Sequence, residues 1–255
     1  MRTLIDLTGR NVMVTGAGQG IGLAAAGLLK ELGAHLTLVE ISDKGVAEIR
    51  QRFPDALIAQ GSVTDRDFVE QTVTQSVQRF GGIQGLMNNA GITRTAMIEK
   101  MTAQQWQEVI DVNLTGVFNC LQAVGAQMIA GSKAGQSRPG AIVNIASDAG
   151  RRGSMGQINY AAAKSGVLGM TMTAAREWGR YGIRINSVCF GVVETQMTEV
   201  IRGEKFRHKY LSAVPMGEFM SPEQAVQSVA FLLSDAADFI TGQHLSINGG
   251  SHMGF

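Results

Sequence analysis

The sequence predicts an α/β protein built on a doubly wound, seven-stranded parallel sheet flanked by helices. Short apolar runs alternate with helix-periodic segments from end to end, which is the pattern of repeated β-α-β units. A glycine-rich turn follows the first run directly and opens the first helix. No stretch of the 255 residues has the composition of a linker, so residues 1–255 read as a single domain.

The expected strands are Asn11–Val14, His35–Val39, Ala56–Ala59, Ile83–Met87, Ala141–Ile145, Arg184–Val188 and His244–Ile247. Between the first two, Ile21, Ala24, Ala25, Leu28, Leu29 and Leu32 recur at helical spacing, and Gly33 offers a left-handed stop. Val112–Ser132 carries no charge and is long enough to span a bilayer. Asn113, Thr115, Asn119, Gln122 and Gln127 make it too polar for lipid, and it reads instead as a helix buried between subunits. Gly131–Pro139 reads as an exposed polar loop ahead of the fifth strand. A helix carrying Tyr160 is lined by Ala161, Ala162, Ala163, Gly166 and Gly169, small residues that let a second backbone come close. A homodimer or homotetramer is the expected assembly.

Composition narrows the class. Charged residues make up 17%, against roughly 25% in an average globular protein, which also suits a surface partly covered by subunit contacts. A net charge of +1 gives no basic field for nucleic acid, and no membrane partner is expected. Cys120 and Cys189 lie in apolar stretches without metal-ligand spacing and read as buried thiols in a reducing compartment. MRTLIDLTGR lacks the long apolar core of a signal peptide, so the cytoplasm is the expected location.

The chemistry begins at Tyr160. On a helix, Lys164 sits one turn away on the same face, where an ammonium favours the phenolate. Bringing a phenol from about 10 to neutral pH takes roughly 4 kcal/mol, a demand that Lys164 and a cationic nicotinamide ring together would meet. The turn TGAGQGIG, Thr15 to Gly22, stands between strand and helix. Its glycines allow close approach of a pyrophosphate to backbone N–H groups at the positive end of the helix, the arrangement of a Rossmann-type domain. Glu40 ends the second strand about 20 residues further on, where a carboxylate accepts from ribose hydroxyls and repels the extra phosphate of NADP. No Lys or Arg lies in the turn, and Gln19 stands where a basic residue would meet that phosphate. The expected cofactor is NAD(H), with NADP(H) the alternative.

These residues resemble the short-chain dehydrogenase/reductase family over essentially the whole chain. The resemblance rests on Thr15-Gly16-x-x-x-Gly20-Ile21-Gly22, the NNAG segment Asn88 to Gly91, Asn113, Ser147, Tyr160-x-x-x-Lys164 and the closing INGG, Ile247 to Gly250. It implies a catalytic tetrad of Asn113, Ser147, Tyr160 and Lys164. Tyr160 would be the acid in ketone reduction and the base in alcohol oxidation, with Ser147 holding the substrate oxygen. Lys164 would bind the nicotinamide ribose, and Asn113 would hold a water leading to solvent. The cofactor would lie against Gly16, Gln19, Gly20, Ile21, Gly22, Glu40, Ser62, Val63, Asn89, Ala90, Gly91, Tyr160, Lys164, Val193 and Thr195. Three positions depart from the common pattern: Phe190 where many relatives have Pro, Ser62 where an Asp often meets adenine, and Asn248 in place of a frequent Asp.

The resemblance also implies that residues 192–218 close over the substrate. Arg202, Lys205, Arg207, His208 and Lys209 in this segment read as a solvated helical face, or as a cationic lid for an anionic thioester. The segment Ala146 to Ser154 looks like those of family members acting on cyclic alcohols or hydroxyacyl thioesters. Met155, Met197, Met216 and Met220 suit an adaptable apolar pocket as well as core packing. The sequence thus leads to hydride transfer between NAD(H) and a secondary alcohol or ketone. A 3-oxoacyl thioester reductase using NADP(H) and an NAD-binding redox sensor without turnover stand as alternatives.

Overall fold

β1 (Asn11–Thr15), β2 (His35–Glu40), β3 (Leu57–Gln60), β4 (Gly85–Asn88), β5 (Gly140–Ser147), β6 (Ile183–Phe190) and β7 (His244–Ile247) form one sheet in the computed structural model, which describes residues 5–254. The order is β3-β2-β1-β4-β5-β6-β7 and every pairing is parallel. The chain therefore starts in the middle, winds out to β3, returns to β4 beside β1, and winds out the other way. Where the winding reverses, the connections after β1 and β4 diverge and leave a crevice at the carboxyl ends of the strands.

Alternation along the strands sorts side chains to two faces. Val12 and Val14 enter one apolar cluster and Met13 the other; Val143 and Ile142 divide the same way. The first face is covered by α1 (Gly20–Glu31), α2 (Asp43–Arg52) and α10 (Pro222–Leu233). The second is covered by α3 (Arg66–Phe80), α5 (Gly116–Lys133) and α7 (Ile158–Trp178). Between these lie α4 (Ala103–Ile110), α6 (Ala149–Arg152), α8 (Glu199–Arg202) and α9 (Glu204–Leu211). α5 and α7 pack closely because Gly125 faces the Trp178 ring, where a Cβ would come within 2.4 Å. Gly33 follows α1 at φ +87°, as its place in the sequence requires.

The uncharged segment is a core helix. Cys120, Val124 and Met128 on α5 are fully buried, while Phe118 on its outer side is 41% exposed. A five-residue π-turn, Asp111–Thr115, precedes it and was not legible in the pattern. The expected loop at Gly131–Pro139 is shorter than the composition suggests: α5 runs on to Lys133, and Gly131 lies inside it against the Gln136 side chain. Both cysteines are buried free thiols, and burial pushes Cys120 up to about 12 and Cys189 up to about 11.

Candidate active site

The crevice opens into a cleft of about 500 Å³. Gly16, Gln19, Gly20, Ile21, Glu40, Ser62, Val63, Asn89, Ala90, Gly91, Tyr160, Lys164 and Thr195 line it, so most of the expected cofactor contacts come together. Gly22 and Val193 lie behind this wall: Gly22 packs on the turn itself and Val193 in the core. Val39, Ile41, Ile92, Val112, Ile145 and Met197 complete the apolar lining.

The glycine turn fits a dinucleotide on steric grounds. Gly16 and Gly20 take left-handed φ of +64° and +52°. A Cβ on Gly16 would meet the Ala90 Cα at 3.0 Å, and one on Gly20 the Thr195 methyl at 3.1 Å. α1 begins without a side-chain cap, whereas α2, α3, α4 and α10 are capped by Ser42, Asp65, Thr102 and Ser221. Its first N–H groups are left to whatever anion lies in the cleft. Asn89 holds the turn in place, donating from Nδ2 to the carbonyls of Thr15 (3.0 Å) and Gly16 (3.1 Å). Thr15 Oγ1 accepts from the N–H groups of Asn89 and Ala90, both at 3.0 Å. The NNAG segment is thus both cleft wall and brace.

Glu40 does more than the sequence suggests. Its side chain is 7% exposed, and Oε2 accepts from the Gly18 N–H at 2.9 Å. Oε1 accepts from the N–H groups of Ile41 and Ser42 and from the Ser42 hydroxyl. The carboxylate ties the glycine turn to the start of α2, and Gly18 and Gly45 make room for it. It still lines the cleft.

Phe190 does not narrow the cleft. It is 4% exposed, packs into the first core cluster, and pairs with Ser147 across β5 and β6. Asn248 also gains an explanation, because its amide faces the Asp148 carboxylate.

Of the tetrad, Tyr160 and Lys164 line the cleft, and Ser147 stands next to Tyr160 without itself reaching the lining. Ser147 ends β5, and its hydroxyl lies beside the Tyr160 phenol, close enough to favour the phenolate. Tyr160 is oriented by α7 and by Asn159, whose side chain reaches the carbonyls of Arg94 and Gln105 while accepting from the Tyr160 N–H. Burial raises the phenol above its ordinary pKa, and the Ser147 hydroxyl opposes this. Lys164 is 2% exposed; burial lowers its ammonium to about 8, with Cys189 acting the other way. Its Nζ lies 5.7 Å from the Tyr160 ring centre and donates to the Ile145 carbonyl at 2.6 Å. Burial dominates the phenol, and the Lys164 ammonium is turned to the carbonyl at the end of β5. Asn113 stands apart. Its amide bonds both the N–H and the carbonyl of Ile92, at 2.8 and 2.9 Å, which makes it the strut of the loop after β4.

In the closing segment, Arg202 folds inward, donating to Thr198 Oγ1 and the Thr195 carbonyl. Lys205, Arg207, His208 and Lys209 on α9 are exposed. Met197 lines the cleft, while Met155 and Met216 are exposed and Met220 partly buried.

Comparison with known proteins agrees with this arrangement. A family model described as enoyl-(acyl carrier protein) reductase matches residues 16–252. A 3-oxoacyl-(acyl-carrier-protein) reductase FabG of Staphylococcus aureus (strain Mu50) is 39% identical over 249 residues, covering 96% of this chain and 98% of that protein. Its counterpart in Thermotoga maritima is 41% identical over 256 residues, with the same coverage. The crystal structure of levodione reductase superposes with a TM-score of 0.88 at 37% identity, covering 96% of this chain and 98% of that one. The cleft, the tyrosine and lysine that line it and these matches lead to one conclusion: the chain is a nicotinamide-dependent oxidoreductase and belongs to the short-chain dehydrogenase/reductase family.

Proposed function

We propose that this enzyme reduces the ketone of a 3-oxoacyl thioester to the 3-hydroxyacyl thioester, with NADH in preference to NADPH. The observation that carries the reaction type is the Ser147 hydroxyl beside the Tyr160 phenol, with Tyr160 and Lys164 lining the cleft. It gives one fixed donor and one proton source for a single carbonyl oxygen. When bound, a reduced nicotinamide supplies the hydride to the ketone carbon. The Ser147 hydroxyl holds the ketone oxygen, Tyr160 gives it a proton as charge develops, and Lys164 holds the nicotinamide ribose beside the phenol. The similarity to 3-oxoacyl thioester reductases favours a thioester over a simple secondary alcohol, and the exposed cations of α9 suit an anionic carrier.

The test follows NADH absorbance with acetoacetyl-CoA, crotonyl-CoA, a cyclic diketone and, in reverse, secondary alcohols with NAD. Reduction of acetoacetyl-CoA but not crotonyl-CoA is expected. Bound NADH with no turnover of any of these compounds would leave a narrow substrate outside these classes or the sensor alternative.

Two predictions follow from the charged groups. Lys164 carries its proton below about pH 8 and loses it above. For reduction, kcat/KM should then be level on the acid side and fall as pH rises through about 8. A profile level to about pH 10 would show that Lys164 keeps its proton throughout this range in the working enzyme. Glu40→Ala combined with Ile41→Arg should lower the NADH-to-NADPH ratio of kcat/KM by at least about tenfold. It should also weaken NADH binding outright, because Gly18 and Ser42 lose their anchor. An unchanged ratio would exclude Glu40 from cofactor choice.

A further inference from the structure

Asp148 directly follows the serine at the reaction centre and is 4% exposed. Asn248 Nδ2 donates to its two oxygens at 2.9 and 3.0 Å, and the Ser251 hydroxyl donates to Oδ2 at 2.8 Å. Asn248 is itself fixed, donating to the His252 carbonyl and accepting from the Gly250 N–H, both at 3.0 Å. One turn along, Arg151 donates to the Ser246 hydroxyl at 2.6 Å and to the Gly254 carbonyl at 2.7 Å.

The other side of the same turn rests on the catalytic helix. A Cβ on Gly150 would lie 2.7 Å from the Lys164 carbonyl carbon, and the Ser165 hydroxyl donates to the Gly150 carbonyl. The turn carrying Ser147 is therefore clasped between the Tyr160 helix and a chain segment about 100 residues further on.

We propose that Asp148 and Asn248 are a positioning pair, through which the C-terminal segment sets where the Ser147 hydroxyl stands relative to Tyr160. The pair requires unlike groups. A carboxylate only accepts, whereas a carboxamide supplies two donors. With Asp at both places, two carboxylates would meet at hydrogen-bond distance, and they would either repel or share a proton. The main chain makes any displacement pass to Ser147, because the Asp148 N–H is bonded to the Phe190 carbonyl at 3.0 Å and the Ala149 N–H to Ser147 Oγ at 3.2 Å.

The inference rests on Ser147 holding the substrate oxygen. The experiment compares the native enzyme, Ser147→Ala, Asn248→Asp and the exchange Asp148→Asn with Asn248→Asp. kcat for acetoacetyl-CoA is expressed per NADH-binding site, so that loss of folded protein is divided out. Asn248→Asp should lower kcat by about tenfold or more while NADH affinity stays close to native. The exchange restores one of the two contacts, now donated from position 148 to a carboxylate at position 248, and gives up the second contact and the bond to the His252 carbonyl. It should recover kcat to within about threefold of native. A fold-stabilising role alone would shift the melting temperature without this loss and recovery in kcat per site. If Asn248→Asp does not fold, Asn248→Ala removes the donor without adding charge and should show a smaller kcat loss. Native kcat per site in the single variants, or a loss that the exchange does not repair, would overturn the pair's role. Native turnover in Ser147→Ala would instead overturn the serine assignment.

Discussion

Tyr160→Phe should lower kcat for ketone reduction by a hundredfold to ten-thousandfold, about 3–5 kcal/mol of barrier, while NADH binds nearly as before. The phenyl ring preserves the side of the cleft and the neighbour of Lys164, whose Nζ lies 5.7 Å from the ring centre. What disappears is the hydroxyl beside Ser147 that the proposed reaction uses as its proton source. Burial holds the phenol above its ordinary pKa, and this bears on direction. In reduction Tyr160 begins neutral, and the oxygen it protonates is alkoxide-like and more basic than a phenolate. A raised pKa then keeps the proton in place until the hydride has moved. Alcohol oxidation needs the phenolate instead, at a cost that burial increases. The loss is checked by steady-state kinetics beside NADH fluorescence titration. Turnover comparable to native would exclude Tyr160 as the proton donor.

The residues legible in the sequence were those whose chemistry is unusual for their position. A glycine cluster between a strand and a helix, a carboxylate at a strand end, and a tyrosine and lysine one turn apart stand out because folding alone does not call for them. The strands were legible from their apolar runs, and His244–Ile247 has the expected bounds. Others run past the apolar part. β5 continues to Ser147 and β3 to Gln60, since polar side chains at strand ends do not prevent the backbone from pairing. At β4 the apolar run begins early: Ile83 is buried, but its N–H goes to the Gln127 side chain, and the strand starts at Gly85. Ile41, Ile92 and Ile145 were missed as cleft lining, and of the four methionines read as pocket or core only Met197 lines it, because an apolar residue at a cleft and one in the core look alike in a linear pattern. The Asp148–Asn248 contact was missed because only the fold brings positions so far apart in sequence together.

Gly22→Ala should reduce NADH affinity by about a hundredfold and destabilise the domain by about 2–3 kcal/mol, although alanine is the better helix former. The added Cβ would fall 2.1 Å from the Gly16 carbonyl oxygen and 2.7 Å from Asn89 Nδ2. Neither can yield cheaply. The carbonyl belongs to the turn that receives the pyrophosphate, and Asn89 Nδ2 is the donor that braces it. Relief therefore comes from moving the turn, which costs stability and cofactor geometry together. Gly27 in the same helix is the control, for a Cβ there meets nothing within 4 Å. Gly27→Ala should raise stability by about 1 kcal/mol, the ordinary helix-propensity gain, and leave NADH binding unchanged. Urea unfolding and NADH titration of the two variants separate the explanations. If both glycines respond alike, propensity governs the helix and the close packing at Gly22 has no part in holding the turn. Opposite signs would tie cofactor binding to the space that Gly22 leaves beneath Gly16.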